Sequence, residues 1–274
     1  MGLLRPEALD ADDLTYRIFG LGRDNEPWRA EDVIASGSFT RDAKRSELAW
    51  KLASRGYYAE QAGLVAAATL AVQTDDTALR FSLATAVSDE ARHADAFYRY
   101  AGAVGGEPEE CQEMVEPLDE GLTALPYLGK ALVHTMLEGF AADEFLLLRE
   151  VFADDPLGTL YHHIRHDEVR HIAIGMNYLA RESRTPAGRE AWREHGEGWI
   201  RTGLGLTGLD GVAKWLGALT GRDPVAVHDW FLHRHRIRLR AVGIETAGGG
   251  DVHEDQEGGD QDDRDRGVQV PAGR

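Results

Sequence analysis

The pentapeptide Asp-Glu-Ala-Arg-His at residues 89–93 recurs with one change as Asp-Glu-Val-Arg-His at residues 167–171. In each copy the glutamate and the histidine are three residues apart, a spacing that places both side chains on one face of an α-helix. A carboxylate and an imidazole that lie side by side can bind the same metal ion. One Glu-x-x-His is usually part of a solvated helix face, but two copies within the same longer pattern predict a pair of metal sites.

A further glutamate precedes each copy by thirty residues, Glu60 before Glu90 and Glu138 before Glu168. Both upstream glutamates lie in the apolar middle of a predicted helix. Antiparallel helices joined by a short turn place residues equally far from the turn at the same height. With turns near residues 73–76 and 153–156, all of these side chains fall in one layer. The predicted metal ligands are Glu60, Glu90, His93, Glu138, Glu168 and His171.

Acidic neighbours offer rival choices for the two upstream ligands. Asp143 and Glu144 are near rivals of Glu138, although they lie a half-integral number of helical turns from it. Glu47 is a weaker rival of Glu60, because it is thirteen residues away.

Four long helices are predicted around these ligands, over about residues 40–72, 74–102, 125–152 and 155–181, with no convincing strand between them. Thr40 is the predicted cap of the first helix, Thr74-Asp75-Asp76 starts the second, and Asp155-Pro156 starts the fourth. A long connection joins two short-turn hairpins, which is the topology of ferritin-like bundles. The predicted fold is therefore all-α, a ferritin-like four-helix bundle with extra C-terminal helices.

The predicted division of the chain has four parts. Residues 1–37 form an arm with short helices, 38–184 form the dimetal bundle, and 185–245 form helices packed on the bundle. Residues 246–274 are a Gly-Asp-Glu-rich tail, predicted to be disordered because it has too little apolar surface to bury. In the third part, the cluster of His228, His233 and His235 has arginines as neighbours, which favours a basic helix face over a metal site; these are Arg234, Arg236, Arg238 and Arg240.

The composition of the chain excludes several kinds of partner and site. The 274 residues carry a net charge of −17, which argues against nucleic acid as a partner. No segment approaches the roughly 20 apolar residues that cross a bilayer, and we see no signal peptide. The single cysteine, Cys111, excludes an internal disulfide and a thiolate metal site. We expect a soluble, cytoplasmic protein, with a homodimer as the default assembly.

At the two Asp-Glu-x-Arg-His segments the chain resembles the non-haem diiron branch of the ferritin-like superfamily, over roughly residues 40–182. Members include hydroxylase subunits of bacterial multicomponent monooxygenases, small subunits of class I ribonucleotide reductase, ligand-binding oxidases and N-oxygenases. The resemblance implies that Glu60, Glu90 and His93 bind one iron and that Glu138, Glu168 and His171 bind the other, with some glutamates bridging. It also implies O2 as co-substrate, a small organic substrate, and an external electron donor such as a reductase or ferredoxin. The same ligands accept a mixed Mn/Fe pair.

Residues outside the ligand set are candidates for supporting roles. Asp89 is expected to hold His171 and Asp167 to hold His93 across the bundle, because a metal-bound histidine usually donates its other N–H to a carboxylate. The alternative pairs these aspartates with Arg92 and Arg170 at an exposed surface.

Two neighbours on the third helix are also candidates. His134 lies one turn before Glu138 and faces the site in this prediction, as a metal ligand or as a packing residue. Thr135 either contacts bound oxygen or bonds to its own helix backbone.

Departures from the family bear on the reaction. Phe97 stands where reductase small subunits carry their radical tyrosine, and Ile164 stands where the N-oxygenases carry a third histidine. We therefore expect a diiron oxygenase or oxidase that hydroxylates, N-oxygenates or desaturates its substrate. A radical-storing or ligand-binding redox protein and a ferroxidase remain alternatives. Small residues that open a substrate cavity, or else allow tight packing, are Gly63, Ala67, Gly139, Ala142 and Gly175.

Overall fold

The computed structural model describes residues 10–25, 27–111, 121–122 and 124–244. The regular secondary structure of this part of the chain is entirely helical, and it contains no strand. Its helices are α1 (Leu14–Asp24), α2 (Ala30–Ser36), α3 (Ala43–Gln73), α4 (Thr77–Val104), α5 (Tyr127–Val151), α6 (Pro156–Glu182), α7 (Pro186–Thr207), α8 (Leu209–Thr220) and α9 (Pro224–Ala241).

The four long helices α3 to α6 form the bundle. Helix α3 packs along α4 and α5 packs along α6, and contacts between α3 and α5 and between α4 and α6 join the two hairpins. Each hairpin has a short turn, and the longer connection runs from α4 to α5. The predicted all-α bundle with extra C-terminal helices is confirmed.

Side-chain caps fix where the bundle helices begin. Asp76 caps α4 by accepting from the backbone N–H of Leu79 at 2.9 Å, and Asp155 caps α6, with Pro156 in its first turn. The prediction that Thr40 caps α3 is wrong, because Asp42 accepts from the N–H of Arg45 at 2.8 Å instead. The N–H of Thr40 donates to the Asp155 carboxylate at 2.9 Å, which holds residue 40 outside the helix.

Apolar clusters lie on both sides of a charged layer. One cluster packs Phe97, Phe145 and Tyr161 against α8 and α9. Another cluster, which includes Leu70 and Leu83, lies at the opposite end of the bundle. The buried glutamates and histidines lie between the clusters, so the packing that stabilises the bundle also keeps water from this polar layer.

Helices outside the bundle cover it on two sides. Helices α1 and α2 pack on α4 and α6, whereas α7 packs mainly on α5, and α8 and α9 pack on α5 and on each other. Trp199 is buried against Gly129, and the guanidinium of Arg55 lies 5.7 Å from the ring centre of Trp215. The division into four parts stays a prediction, and residues 246–274 lie outside the described residues. No helix in the described ranges combines the length and apolarity needed to cross a membrane.

Gly158 permits the sharp entry into α6. A Cβ at this position would fall far inside van der Waals contact with the backbone carbonyl of Phe152, which cannot move without opening the turn. We expect Gly158→Ala to lower the free energy of unfolding by about 2 kcal/mol through overpacking. Urea titration followed by circular dichroism measures this change.

Gly198, within α7, is the matched control. A Cβ there has no neighbour within 4 Å, so Gly198→Ala should raise the free energy of unfolding by about 0.5–1 kcal/mol through helix propensity alone. If the two substitutions had equal effects on the free energy of unfolding, the turn before α6 would not require a residue without a side chain at position 158.

Candidate dimetal centre

The predicted ligands meet in one buried layer, and none is more than 6% exposed. Glu60 comes from α3, the Glu90 and His93 pair from α4, and Glu138 from α5. Helix α6 supplies Glu168 and His171. The donor atoms form two groups, each with all atoms within 4.8 Å of one another: Glu60, Glu90, His93 and Glu168 in the first, and Glu90, Glu138, Glu168 and His171 in the second.

Glu90 and Glu168 belong to both groups. The resemblance implies only that some glutamates bridge, and the structure identifies these two as the shared pair. Glu60 and Glu138 each belong to one group, as does each histidine. The arrangement therefore offers two adjacent metal positions, each with one histidine, one glutamate of its own and two shared glutamates.

The histidines present the same ring nitrogen to the layer. His93 Nδ1 lies 3.3 Å from carboxylate oxygens of both Glu60 and Glu168. His171 Nδ1 lies 2.9 Å from Glu168 Oε2 and 3.1 Å from Glu90 Oε1. Both rings thus point a nitrogen at the place where carboxylate oxygens converge.

The opposite ring nitrogens face aspartates across the bundle. His93 Nε2 lies 3.3 Å from Asp167 Oδ2, and His171 Nε2 lies 3.3 Å from Asp89 Oδ2. Such carboxylates set the tautomer and orientation of a metal-binding histidine. These aspartates also contact Arg92 and Arg170, as the alternative predicted, but in a mostly buried network and not at an exposed surface.

The arginines of the two repeated segments cross-link these aspartates. Arg92 donates to Asp89 at 2.6 Å and to Asp167 at 2.7 Å. Arg170 contacts Asp89 and lies 3.3 Å from Asp167. The network is mostly buried, Asp167 being only 1% exposed. Burial would raise the pKa of Asp167, but the hydrogen bond and charge of His93, followed by the hydrogen bonds from Trp28 and Arg92, hold this pKa well below its ordinary value.

Trp28, between α1 and α2, completes the shell around Asp167. Its indole N–H donates to Asp167 Oδ2 at 2.9 Å, and the Asn25 amide donates to Oδ1 at 3.3 Å. The Trp28 ring stacks on His163 at a centroid distance of 5.3 Å. The sequence reasoning missed this contribution, because a residue in an irregular connection carries no periodic signal.

His134 lies at the edge of the layer, whereas the Thr135 hydroxyl bonds to the backbone of its own helix. His134 is 5% exposed, and its Nε2 lies 2.9 Å from Glu138 Oε1. The approach is too oblique for a hydrogen bond, so this nitrogen has no such partner in the described part of the chain. The Thr135 hydroxyl donates to the carbonyl of Ala131 at 2.7 Å and packs against Gly175.

Burial and mutual repulsion change the protonation of the carboxylates. Burial first, and then the charge of Glu138, raise the pKa of Glu90 and of Glu168 to about 8. Burial also raises the pKa of Glu60. For Glu138 burial acts in the same direction, but the charge of His134 and hydrogen bonds outweigh it and lower the pKa.

For the two histidines of the layer, burial and the neighbouring carboxylates have opposite effects on the pKa. Burial alone would lower the pKa of His93, but Asp167 and the nearby glutamates raise it well above its ordinary value. The pKa of His171 is raised in the same way, against burial, chiefly by Glu168. Without metal the layer therefore retains protons that cations would displace.

The residues present fit a pair of divalent cations. Four glutamates balance the charge of two such ions, and burying this much charge without cations would be costly. Glu90 Oε1 is buried, and His171 Nδ1 at 3.1 Å approaches it outside hydrogen-bond geometry, so within the described residues this oxygen is left open to a metal ion. Mixed oxygen and nitrogen donors suit iron and manganese.

The acidic neighbours on α5 have other roles. Asp143 accepts hydrogen bonds from Arg234 at 2.7 Å and from Arg238 at 2.8 Å, so it faces α9 and not the layer. Glu144 borders a cavity and lies 3.5 Å from Arg55. Neither residue belongs to the two donor groups.

The histidines of α9 do not gather into a metal-type group within the described ranges. The predicted basic face there is only partly exposed, because Arg234 and Arg238 reach the buried Asp143. Burial first, and then the charge of Arg238, lower the pKa of His235 to about 4.

A cavity of about 160 Å³ adjoins the layer between α3 and α5. The metal-facing residues that border it are Glu60, Glu90, Glu138 and Glu168. Most of its wall is apolar and includes Phe140, Phe145 and Leu148. The cavity therefore places an apolar space directly against the carboxylates.

The small residues singled out in the sequence serve different purposes. Gly63 borders the cavity, and a Cβ there would lie 2.9 Å from Glu90 Oε2. Gly139 and Gly175 instead allow close approach of Arg238 and of Thr135. Phe97, at the position of the reductase radical tyrosine, is fully buried against Phe145 and Tyr161.

No protein-family model matches the chain, and no curated protein matches it in sequence. Its fold does match solved structures, among them variants of an R2-like ligand-binding oxidase. A variant with an aerobically reconstituted Mn/Fe cofactor is 19% identical with a TM-score of 0.63, over 86% of this chain and 95% of that chain. A variant with an anaerobically reconstituted Mn/Fe cofactor is 18% identical with a TM-score of 0.61, over 86% and 95%.

A third variant, with a non-activated Mn/Mn cofactor, is 18% identical with a TM-score of 0.63, again over 86% of this chain and 95% of that chain. Identities this low show a shared fold and leave the reaction open. The chain therefore has the ferritin-like helical-bundle fold of the R2-like ligand-binding oxidases, with a buried carboxylate and histidine cluster that fits a dimetal site.

Proposed function

We propose that this chain is a non-haem diiron or Mn/Fe oxygenase or oxidase that uses O2 to oxidise a small organic molecule. The observation that carries the proposal is the cavity of about 160 Å³ bordered by all four metal-facing glutamates. When bound, the metal pair would pass electrons from the external donor to O2 and act as a Lewis acid. A substrate in this cavity would lie directly beside the reacting centre, for hydroxylation, N-oxygenation or desaturation.

The protein's own groups would position the metals and exclude water. Glu90 and Glu168 hold both metal positions together, and the histidines are oriented by Asp89 and Asp167. The apolar wall limits water around the bound substrate. Electrons would come from a separate reductase or ferredoxin. A cytoplasmic location and a homodimer are part of this proposal.

A ligand-binding or radical-storing redox protein is the second candidate. The shared fold with proteins described as R2-like ligand-binding oxidases supports it. Phe97 argues against a tyrosyl radical at the position that reductase small subunits use. A ferroxidase is less well supported, because an iron store needs a polar path for ions and the cavity wall is mostly apolar.

Oxygen reactivity separates these candidates. We expect the protein, loaded anaerobically with ferrous iron, to show a transient visible absorption when O2 is admitted, and a suitable substrate should accelerate its decay. The Glu168→Ala variant, which lacks a shared ligand, should show no such absorption. A stable product spectrum without turnover would favour the second candidate, and continued iron uptake beyond the dimetal site would favour a ferroxidase.

A further inference from the structure

The cavity beside the metal layer contains a loosely made ion pair. Arg55 on α3 and Glu144 on α5 both border it, and Arg55 Nη1 lies 3.5 Å from Glu144 Oε1. The two side chains are 30% and 10% exposed, respectively. Within the described residues, neither side chain makes hydrogen bonds that use all of its polar atoms. Donors on Arg55 and acceptors on Glu144 therefore remain available to a molecule in the cavity.

This pair lies at a distance from the metal-facing carboxylates. Arg55 precedes Glu60 by five residues and Glu144 follows Glu138 by six, which corresponds to roughly 7.5–9 Å along the helices. Gly56 lies between the two ends on α3. The cavity thus has a metal-facing end, an ion-pair end and a mainly apolar stretch between them.

Arg55 is positioned independently of Glu144. Its guanidinium lies 5.7 Å from the ring centre of Trp215 on α8, a cation–π distance. At a separation of 3.5 Å, and with Arg55 30% exposed, the two charges are incompletely paired, so each can take a further partner. In ligand sites, a few open polar groups in an apolar wall fix the orientation of the bound molecule.

We propose that Arg55 and Glu144 bind the zwitterionic head of a substrate of the free amino acid type, and that the substrate's side chain extends towards the metal layer. The carboxylate would pair with Arg55 and the ammonium with Glu144. Because the ion pair has no net charge, a zwitterion supplies a partner for each member, whereas a singly charged head would face one like charge. This inference rests on the proposed function and names its substrate class.

Head-group binding can be measured without turnover. The full chain is loaded with Mn²⁺ under anaerobic conditions, and isothermal titration calorimetry compares norleucine, n-hexylamine, hexanoate and n-hexanol, which share one carbon chain. We expect norleucine to bind at least roughly tenfold more tightly than each of the others. Norleucine binding no tighter than hexanol binding would overturn the proposal.

Uncharged variants of the two residues assign the preference to the pair. Arg55→Gln should weaken norleucine without weakening hexylamine, and Glu144→Gln should weaken norleucine without weakening hexanoate, because each substitution removes the like charge that the singly charged head faces. Retained hexanol binding shows that the cavity is intact in each variant. Glu47→Gln, which alters an exposed ion pair with Lys51 on the same helix, is the matched control and should change nothing. A norleucine advantage that survives both cavity variants would contradict the assignment.

Metal binding and head-group preference are measured separately, so a failure of this proposal can be distinguished from a failure of the proposed function. If two Mn²⁺ ions bind per chain but no head-group preference appears, the substrate class is wrong and the dimetal function stands. If no metal binds, the dimetal function fails, and titration of the metal-free chain still tests the ion pair. A third outcome would also overturn the proposal. If hexanoate binds most tightly, only when Mn²⁺ is present, and Arg55→Gln does not change its affinity, then the carboxylate binds the metals and not Arg55.

Discussion

Replacing Glu168 with alanine is expected to remove both metal ions, whereas replacing Glu138 with alanine should remove only one. Glu168 belongs to both donor groups, and Glu138 belongs to one. Loss of Glu168 should lower the affinity at both positions by more than about 100-fold, since even loss of an outer hydrogen-bond partner costs 10–100-fold. Metal per chain after equilibrium dialysis against ferrous iron or Mn²⁺ measures the difference.

The other two glutamates provide matched controls. Glu90→Ala should resemble Glu168→Ala, because Glu90 is the second shared residue, and Glu60→Ala should resemble Glu138→Ala. Circular dichroism of each variant establishes that the helices remain. Retention of one tightly bound ion by Glu168→Ala, or identical metal content in all four variants, would contradict the shared-ligand arrangement.

Replacing Asp167 with alanine should lower the free energy of unfolding by about 3–5 kcal/mol, the usual cost of removing one partner from a buried ion pair. Asp167 is 1% exposed and contacts Arg92, His93 and Trp28. Without it, Arg92 and Arg170 would share the single carboxylate of Asp89. Chemical denaturation of the metal-free protein at neutral pH measures the loss.

Two further substitutions separate charge from packing. Asp95→Ala, in an exposed pair with Arg99, should change the free energy of unfolding by less than about 0.5 kcal/mol. Asp167→Asn keeps the size of the side chain and should weaken metal binding beside His93 by about 10–100-fold. A cost for Asp167→Ala no larger than that of Asp95→Ala would show that the buried network does not stabilise the bundle.

The fold was predictable because the informative signals are local. Asp76 and Asp155 cap helices next to short turns, and these caps fix where each hairpin begins its return. The thirty-residue offset between Glu60 and Glu90 then follows from the geometry of an antiparallel hairpin. The same offset brings Glu138 level with Glu168, which is why these side chains meet in one layer.

Contacts between distant segments were not predictable from periodicity. Trp28 reaches Asp167 from a connection with no regular pattern, over 139 residues of chain. Asp143 pairs with Arg238, 95 residues away, and not with a metal. Such pairs depend on how whole helices pack, and a single sequence carries no local signal for them.

The ion pair in the cavity shows the same limit. Arg55 and Glu144 each lie on a helix that was predicted, but neither has a spacing that points to the other. Their meeting depends on the relative rotation of α3 and α5. Sequence reasoning therefore located the metal layer, whereas the groups that line the adjoining space became visible only in the structure.

Glu90 and Glu168 belong to both donor groups, so two ions held there would be neighbours whose electron spins couple. The most direct test adds two equivalents of Mn²⁺ to the metal-free protein without oxygen and records the electron paramagnetic resonance spectrum at low temperature. We predict a spin-coupled pair, with two ions bound per chain. A spectrum of isolated Mn²⁺ alone, or no bound metal, would contradict the dimetal centre.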